Sequence, residues 1–205
     1  GCYDFNGTDS KSDLGGSVSD YSFLTRNFSL SMWLYPTIGH QDVFFDSMDY
    51  SGSNVGFGLR FNTYGGTKTV LATIATGGAS TGYDSSDVWT DSAWQLLNVT
   101  YDGATMTTYR NTVNVGSGSV TSTTSTPSYV PRLGEAASGN DNPYDGLIDD
   151  WALFDNRVLT SGEISSIYNS GSGELISNVF GAGNRAGIKA YYNMDTRTGA
   201  ATIPN

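Results

Sequence analysis

Large apolar residues alternate with polar ones along much of the chain, with the period of two that is typical of half-buried β-strands. The alternation is clearest from Asn27 to Tyr35, and Pro36 ends this run. The pairs Gly65-Gly66 and Asp102-Gly103 predict tight hairpin turns. Shorter runs predict further strands at residues 43–46, 57–62, 70–74, 95–99, 106–110 and 129–134. The pattern therefore predicts an all-β protein.

Polar stretches rich in Gly, Ser, Thr and Asp separate these strands. They predict turns and loops at residues 49–54, 77–87 and 135–144, and a solvated edge or loop at 116–128. Binding residues concentrate in loops that a rigid scaffold positions. The 77–87 loop, which contains Tyr83 and two aspartates, is therefore a candidate binding loop.

Gly146 opens an apolar run that contains two adjacent carboxylates. Continued alternation predicts that Ile148 and Asp150 share one face of the strand, with Asp149 and Trp151 on the other. A carboxylate is costly to bury without a partner, so this pair predicts an interaction with another part of the chain.

A short helix is predicted directly after this strand. Thr160 or Ser161 can cap its start, and Glu163 falls in its first turn. Ile164, Ile167 and Tyr168 then lie on one helical face, and Gly171 ends the element.

The order of elements from Gly146 to Gly171 resembles the last strand and closing helix of laminin-G-like, concanavalin-A-like jelly-roll domains. The shared features are a glycine, an aspartate pair, an aromatic strand, an Asn-Arg-x-Leu link, a small helix and a Tyr-Asn-x-Gly exit. Three further pieces resemble the family, at residues 3–9, 27–35 and 94–103. The resemblance implies a jelly-roll β-sandwich of two antiparallel sheets, with one short helix near Ser161–Tyr168.

The resemblance also divides the chain. We expect the jelly-roll domain at residues 1–175, followed by a linker and a C-terminal strand at 176–205. The segment Ile188–Asp195 is similar to the strand that normally precedes such a domain. It can complete its own sandwich or join a neighbouring copy. We favour the intramolecular return, because a link of about fifteen residues can cross a sandwich and local concentration favours it.

Composition and charge exclude several classes of protein. The net charge of −10 should repel phosphate backbones, so nucleic acid is not an expected partner. Cys2 and His40 are the single residues of their types, which rules out an intrachain disulfide and a His-rich zinc site. No apolar run approaches the roughly 20 residues of a membrane span. The chain starts at Gly1 without Met, so we expect a processed product or an excised piece.

Catalysis is not expected, although the fold class includes glucanases. Glycoside hydrolysis needs two carboxylates at a controlled separation. Sandwich glucanases usually place them on one strand as Glu-x-Asp-x-x-Glu, and this spacing is absent here. A Gly-x-Ser-x-Gly elbow is absent as well.

Calcium is a possible cofactor, since several laminin-G-like jelly rolls bind it between the opening turn and the aspartate pair. The resemblance implies a site made of the Gly7 carbonyl, Asp9, Asp149 and Asp150. Hard oxygen ligands from two distant segments suit Ca²⁺. The alternative is that Asp149 hydrogen-bonds to backbone amides of the loops.

Glycan binding rests on the resemblance to sandwich lectins, which use exposed loop aromatics and planar polar side chains. The candidates are Tyr50, Tyr83, Asn140, Asn142 and Tyr144. The alternative for each is an ordinary surface residue.

These observations favour a non-catalytic, lectin-like recognition module that binds a carbohydrate or a cell-surface protein. It would serve adhesion as part of a larger extracellular or virion-surface protein. The alternative is a structural interaction domain, such as a fibre, capsid-decoration or filament subunit. Under this alternative, the expected partners are other copies of the chain or neighbouring domains of a longer chain.

Overall fold

The computed structural model describes residues 1–37, 42–49, 55–64, 67–76, 80–86, 89–120, 126–139, 142–181 and 187–194. The strands in this part of the chain are β1 Tyr3–Asn6, β2 Ser12–Asp13, β3 Phe28–Pro36, β4 Val43–Asp46, β5 Val55–Tyr64, β6 Thr67–Thr76, β7 Ser80–Asp84, β8 Gln95–Tyr101, β9 Thr105–Arg110, β10 Val113–Ser119, β11 Arg132–Leu133, β12 Asp145–Asp155 and β13 Ile188–Tyr192. The α-helices are α1 Ser161–Tyr168 and α2 Ile176–Phe180, and 3₁₀ turns lie at Val18–Thr25 and Asn169–Gly171.

Two antiparallel sheets form the molecule. In the described residues, one sheet has seven strands in the order β1-β12-β3-β8-β9-β10, with β13 also paired to β12. The other has six strands in the order β2-β11-β4-β5-β6-β7. The predicted all-β sandwich with a short helix is therefore confirmed. No helix in the described part of the chain is long and apolar enough to cross a bilayer.

The main core fills the space between the sheets. Alternate residues of β3 point into it, as the apolar pattern predicted, and they meet aromatic residues from β4, β5 and β12. The Trp151 ring stacks on Phe45 with centroids 5.9 Å apart, and Phe28 meets Phe57 edge-to-face at 4.8 Å. Such aromatic burial dominates the stability of a sandwich of this size.

Some predicted loops contain strands. The 77–87 segment, predicted as a loop, contains β7, and the 116–128 segment begins with the end of β10. The strand predicted at 129–134 is reduced to the two residues of β11. Local composition misled these predictions, because glycine and serine in β10 serve a contact with another strand rather than a turn.

A β-bulge interrupts β12 at the aspartate pair. Asp149 lies opposite Trp33 and Ala152 lies opposite Ser31, so β12 has one more residue than β3 in this interval. Asp150 takes a left-handed backbone conformation, with φ of 47°. The predicted facing, Ile148 with Asp150 and Asp149 with Trp151, is wrong, because the extra residue returns Trp151 to the core face beside Ile148.

The predicted helix forms over the predicted residues. Thr160 accepts a hydrogen bond from the Glu163 N–H at 3.3 Å, and Glu163 accepts one from the Thr160 N–H at 2.8 Å. Partial burial would raise the pKa of Glu163, but its hydrogen bonds from Thr160 and Arg157 outweigh that effect and lower the pKa.

The helices cover the outer face of the seven-stranded sheet and create a second apolar layer. Strands contribute Trp33, Leu96, Ala152 and Phe154, and the chain after β12 contributes Leu159, Ile164, Ile167, Ile176 and Phe180. The helix α2 lies in the segment predicted as a linker, where the sequence offered no helical pattern of useful length. Its two buried residues fasten the start of that segment to the sandwich.

The C-terminal strand returns to its own sheet. β13 pairs with residues 151–154 of β12, and β1 pairs with residues 145–148 of the same edge. The two terminal strands thus lie end to end along β12. Together they cover a strand edge that would otherwise expose unpaired backbone groups.

Candidate functional site

The opening turn of the chain lies beside the start of β12. The Gly7 N–H donates to the Tyr144 carbonyl at 3.1 Å, and Asn6 is paired with Asp145. Gly7 has φ of 66°, and a Cβ at this position would stand 2.9 Å from the Asp145 Cβ. The acidic residue next to the opening turn is therefore Asp145.

The predicted calcium ligands are not brought together. Asp149 lies four residues beyond Asp145, or about 13 Å along an extended strand. The Asp9 carboxylate accepts a hydrogen bond from Asn6 Nδ2 at 2.9 Å. No cluster of three or more His, Cys, Asp or Glu suited to a metal occurs in the described residues. The set of Gly7, Asp9, Asp149 and Asp150 does not fit a single calcium ion.

The two aspartates of the bulge have protein partners instead. Asp149 Oδ1 accepts from the Asp150 N–H at 2.8 Å. Asp150 is 5% exposed, and it accepts from the Tyr191 hydroxyl at 2.5 Å and from the Ile176 N–H at 3.3 Å. The partner that the sequence predicted for this pair is therefore supplied by β13 and α2.

Two of the predicted sugar-binding tyrosines make packing contacts within the protein. Tyr144 is fully buried, and burial together with the charges of Asp42 and Asp145 raises the pKa of its phenol well above the ordinary value. The Tyr83 ring lies against Gly116 and Gly118, so it links the edge strands β7 and β10 of the two sheets. The prediction for Tyr144 is wrong, because its side chain is fully buried in the core. Tyr83 is half-buried on the edge strand β7, and its role in sugar binding stays a prediction.

Asn142, Tyr50 and Asn140 are the remaining candidates for sugar binding. Asn142 is partly exposed and its carbonyl accepts from the Val43 N–H at 2.8 Å, which leaves its binding role a prediction. Tyr50 and Asn140 lie outside the described residues.

A cavity of about 430 Å³ opens beside the helices on the outer side of the seven-stranded sheet. Four segments that are distant in sequence form it: β3, the turn before β8, the bulge of β12, and the chain from the end of α1 into α2. The lining residues are Trp33, Trp94, Asp149, Asp150, Gly171, Ser172, Gly173, Glu174, Leu175 and Asn178.

Trp33 gives the cavity a rigid apolar wall. It is 8% exposed, and its ring stacks on Tyr168 of α1 with centroids 5.9 Å apart and an angle of 18°. Gly173 crosses its edge, and a Cβ there would stand 3.5 Å from the ring. The Gly173 N–H donates to the Tyr168 carbonyl at 3.2 Å, which ties this loop to the helix end.

Trp94 gives the cavity an exposed aromatic wall. It is 40% exposed and sits at the end of a turn before β8, with its ring 5.5 Å from Tyr35. The Gln95 side chain holds this turn, since its Nε2 donates to the Thr90 carbonyl at 2.7 Å and its Oε1 accepts from the Thr90 N–H at 3.2 Å. The tryptophan is thus presented to solvent from a hydrogen-bonded support.

The polar side chains of the lining are three carboxylates, the Ser172 hydroxyl and the Asn178 amide. Glu174 Oε1 accepts from Asn178 Nδ2 at 2.7 Å. Asp149 and Asp150 lie on the bulge, and Asp150 is held by the two bonds described above. The cavity therefore joins aromatic surface to fixed acceptors, which is the composition of small-molecule sites in general.

The sequence indicated Trp94 only as a family tryptophan and predicted a linker and C-terminal strand at residues 176–205, which contain Asn178. The one local signal for this site was the bulge aspartate pair. Nothing in the alternation of residues indicates that Trp33, Trp94 and Glu174 come together, because each belongs to a different segment.

The sheets, their antiparallel order and the helix at the end of β12 define a jelly-roll sandwich of the lectin type. A family model described as the concanavalin A-like lectin/glucanases superfamily, of the laminin G kind, matches residues 7–165. The chain belongs to this family. A search of curated proteins by sequence found no match.

Solved structures share the fold at low sequence identity. A SAP-like pentraxin from Limulus polyphemus is 14% identical with a TM-score of 0.59, over 83% of this chain and 82% of that one. A putative carbohydrate binding protein from Bacteroides ovatus is 15% identical with a TM-score of 0.63, over 100% and 53%. A carbohydrate-binding module of the Ruminococcus gnavus IT-sialidase, bound to α2,3-sialyllactose, is 10% identical with a TM-score of 0.65, over 81% and 95%.

Proposed function

We propose that this chain is a non-catalytic module that binds a carbohydrate in the cavity between Trp94 and the β12 bulge. The observation that carries the proposal is the pairing of exposed Trp94 with fixed acceptors in one cavity. A sugar ring has an apolar C–H face that packs on an indole, and hydroxyl groups that donate to carboxylates. The cavity offers both kinds of contact.

We propose a non-catalytic module because the buried carboxylate at the cavity is engaged in hydrogen bonds with the protein. Glycoside hydrolysis needs one carboxyl that carries a proton to the leaving oxygen and a second that faces the anomeric carbon or a water. Asp150 is 5% exposed and both of its oxygens accept hydrogen bonds from the protein. A carboxylate held in this way positions the bulge instead of transferring protons.

The family relationship supports binding as the general activity. The similar structures include a putative carbohydrate binding protein and a module bound to a sialylated sugar. The proposal places the module outside the cell, where polysaccharides and surface glycans are accessible.

A binding assay with a matched variant tests the proposal. We expect the wild-type chain to bind members of a neutral and amino oligosaccharide panel in calorimetric titrations, and Trp94→Ala to weaken that binding by about tenfold or more. Loss of one aromatic contact worth about 1.4 kcal/mol has this effect. Tyr129→Ala is the control, since Tyr129 is also exposed, at 37%, and does not line the cavity.

Circular dichroism and a melting curve establish that both variants remain folded. Equal binding by wild type and Trp94→Ala would remove the cavity from the proposal. Failure of the wild type to bind any sugar of the panel would contradict carbohydrate binding itself.

A further inference from the structure

Among the residues that the structure describes, the ionisable groups that line the cavity all have the same sign. Asp149, Asp150 and Glu174 line it, and no Lys, Arg or His is among the lining residues that the structure describes. Arg157, a cation of the neighbouring layer, pairs with Glu163 and lies over the Phe180 ring, 4.5 Å from its centroid. It is therefore committed to contacts under the helices.

The backbone conformation of β12 fixes two of these carboxylates at the cavity. The bulge places consecutive carboxylates at the same cavity, and Asp150 is held there by the Tyr191 hydroxyl and the Ile176 N–H. Hydrogen bonds of this kind stabilise the charged carboxylate. Two indole rings, Trp33 and Trp94, line the same cavity, and apolar surface beside a carboxylate strengthens its field relative to bulk water.

The third carboxylate has acceptor capacity left. Glu174 Oε1 accepts from Asn178, whereas no hydrogen bond to Glu174 Oε2 is formed within the described part of the chain. The exposed Trp94 ring offers a further attraction to cations, since a positive group over an indole face is favourable. Carboxylates and indoles in one cavity form an environment suited to an ammonium group.

We propose that the cavity selects saccharides that carry an unsubstituted amine, such as glucosamine residues with a free ammonium group, and discriminates against anionic sugars. This inference rests on the proposed function, since it concerns the ligand of the same cavity. The ammonium would lie between the indole of Trp94 and the carboxylates of Glu174 and Asp149, with the sugar ring against the aromatic wall. A sialylated sugar would bring its carboxylate toward three like charges.

The test compares two ligands that share one backbone, and a third that is anionic. We expect β1,4-linked glucosamine tetrasaccharide to bind about tenfold more tightly than its N-acetylated counterpart, because acetylation removes the positive charge and leaves the ring. α2,3-Sialyllactose is expected to bind more weakly than either. High salt should shrink the preference for the amine, since it screens the carboxylates at this open cavity.

Glu174→Gln should lower the preference for the amine several-fold while N-acetylated binding is retained. Asp4→Asn is the matched control, since it removes the same charge from an exposed residue of β1 that does not line the cavity. If the net charge of −10 merely attracted the amine everywhere, the two variants would behave alike and Trp94→Ala would still bind it.

The outcomes separate the two proposals. Trp94-dependent binding with no preference for the amine overturns the selectivity and leaves carbohydrate binding standing. Tighter binding of sialyllactose also overturns the selectivity. If the wild-type chain binds none of the three ligands and no other sugar, both proposals are overturned.

Discussion

At the scale of single residues, Tyr83 shows how a glycine can be required by a distant side chain. A Cβ on Gly118 would stand 2.3 Å from the Tyr83 Cδ2, well inside a normal contact. Gly118→Ala should therefore destabilise the protein by about 1–3 kcal/mol in urea unfolding, through displacement of the ring. In a Tyr83→Ala background the same substitution should cost almost nothing, which a double-mutant cycle measures.

The control for this prediction is Gly162→Ala in α1. A Cβ there meets only the Thr160 hydroxyl at 3.9 Å, so this substitution should be neutral or stabilising. An additive cycle, with the same cost for Gly118→Ala in both backgrounds, would contradict the contact. It would also favour the predicted role of Tyr83 in ligand binding.

At the scale of elements, β13 determines whether the edge of β12 is covered. Tyr192 packs edge-to-face on Trp151 with centroids 5.5 Å apart and donates to the Leu14 carbonyl at 3.1 Å, while Tyr191 binds Asp150. Deleting residues 188–205 should lower the free energy of unfolding by about 2–5 kcal/mol, since it removes these buried contacts. The oligomeric state should not change, because β13 pairs within the chain.

Sedimentation and urea unfolding of the truncated chain measure both quantities. Tyr192→Ala distinguishes the stability contributed by the tyrosine ring from that contributed by strand pairing. It keeps the backbone pairing of β13 and should therefore lose only part of the stability that truncation removes. If truncation instead dissolved an oligomer and left a stable monomer, β13 would serve assembly. The structural-subunit function would then be favoured.

At the scale of the whole molecule, buried phenols limit stability in alkali. Burial, with the nearby charges of Tyr192 and Asp20, raises the pKa of Tyr21 to about 12. Burial also raises the pKa of Tyr144, Tyr191 and Tyr192, and the Asp150 carboxylate adds to the effect at Tyr191. Ionisation of each of these phenols is therefore less favourable in the folded chain than in the unfolded chain.

The sign of the linkage predicts the pH range. A phenol whose pKa is raised in the folded state stabilises that state fully below the unfolded pKa of 10.0, and this contribution is lost as pH rises toward about 12 for Tyr21. Urea unfolding should therefore show stability falling from pH 10 to pH 12, by up to about 1.4 kcal/mol per pH unit for each tyrosine. Tyr21→Phe should reduce that slope, and a flat profile over this range would contradict the burial of these phenols.

The sequence by itself determined the elements whose causes are local. The alternation in β3 and the Thr160–Glu163 cap of α1 depend on residues within one or two turns of each other, so both were predictable with their boundaries. The resemblance to jelly-roll domains supplied the sandwich. These parts of the fold need no knowledge of which strands are neighbours.

Only the tertiary structure decided the candidate site. The bulge at Asp149–Asp150 depends on the register between β12 and β3, and one added residue reversed the predicted facing of Trp151. Trp94 and Glu174 are 80 residues apart in the chain and meet because the helices fold back over the sheet. Side-chain alternation reports which residues are buried, whereas a cavity depends on the packing between segments, and that information is spread over the whole chain.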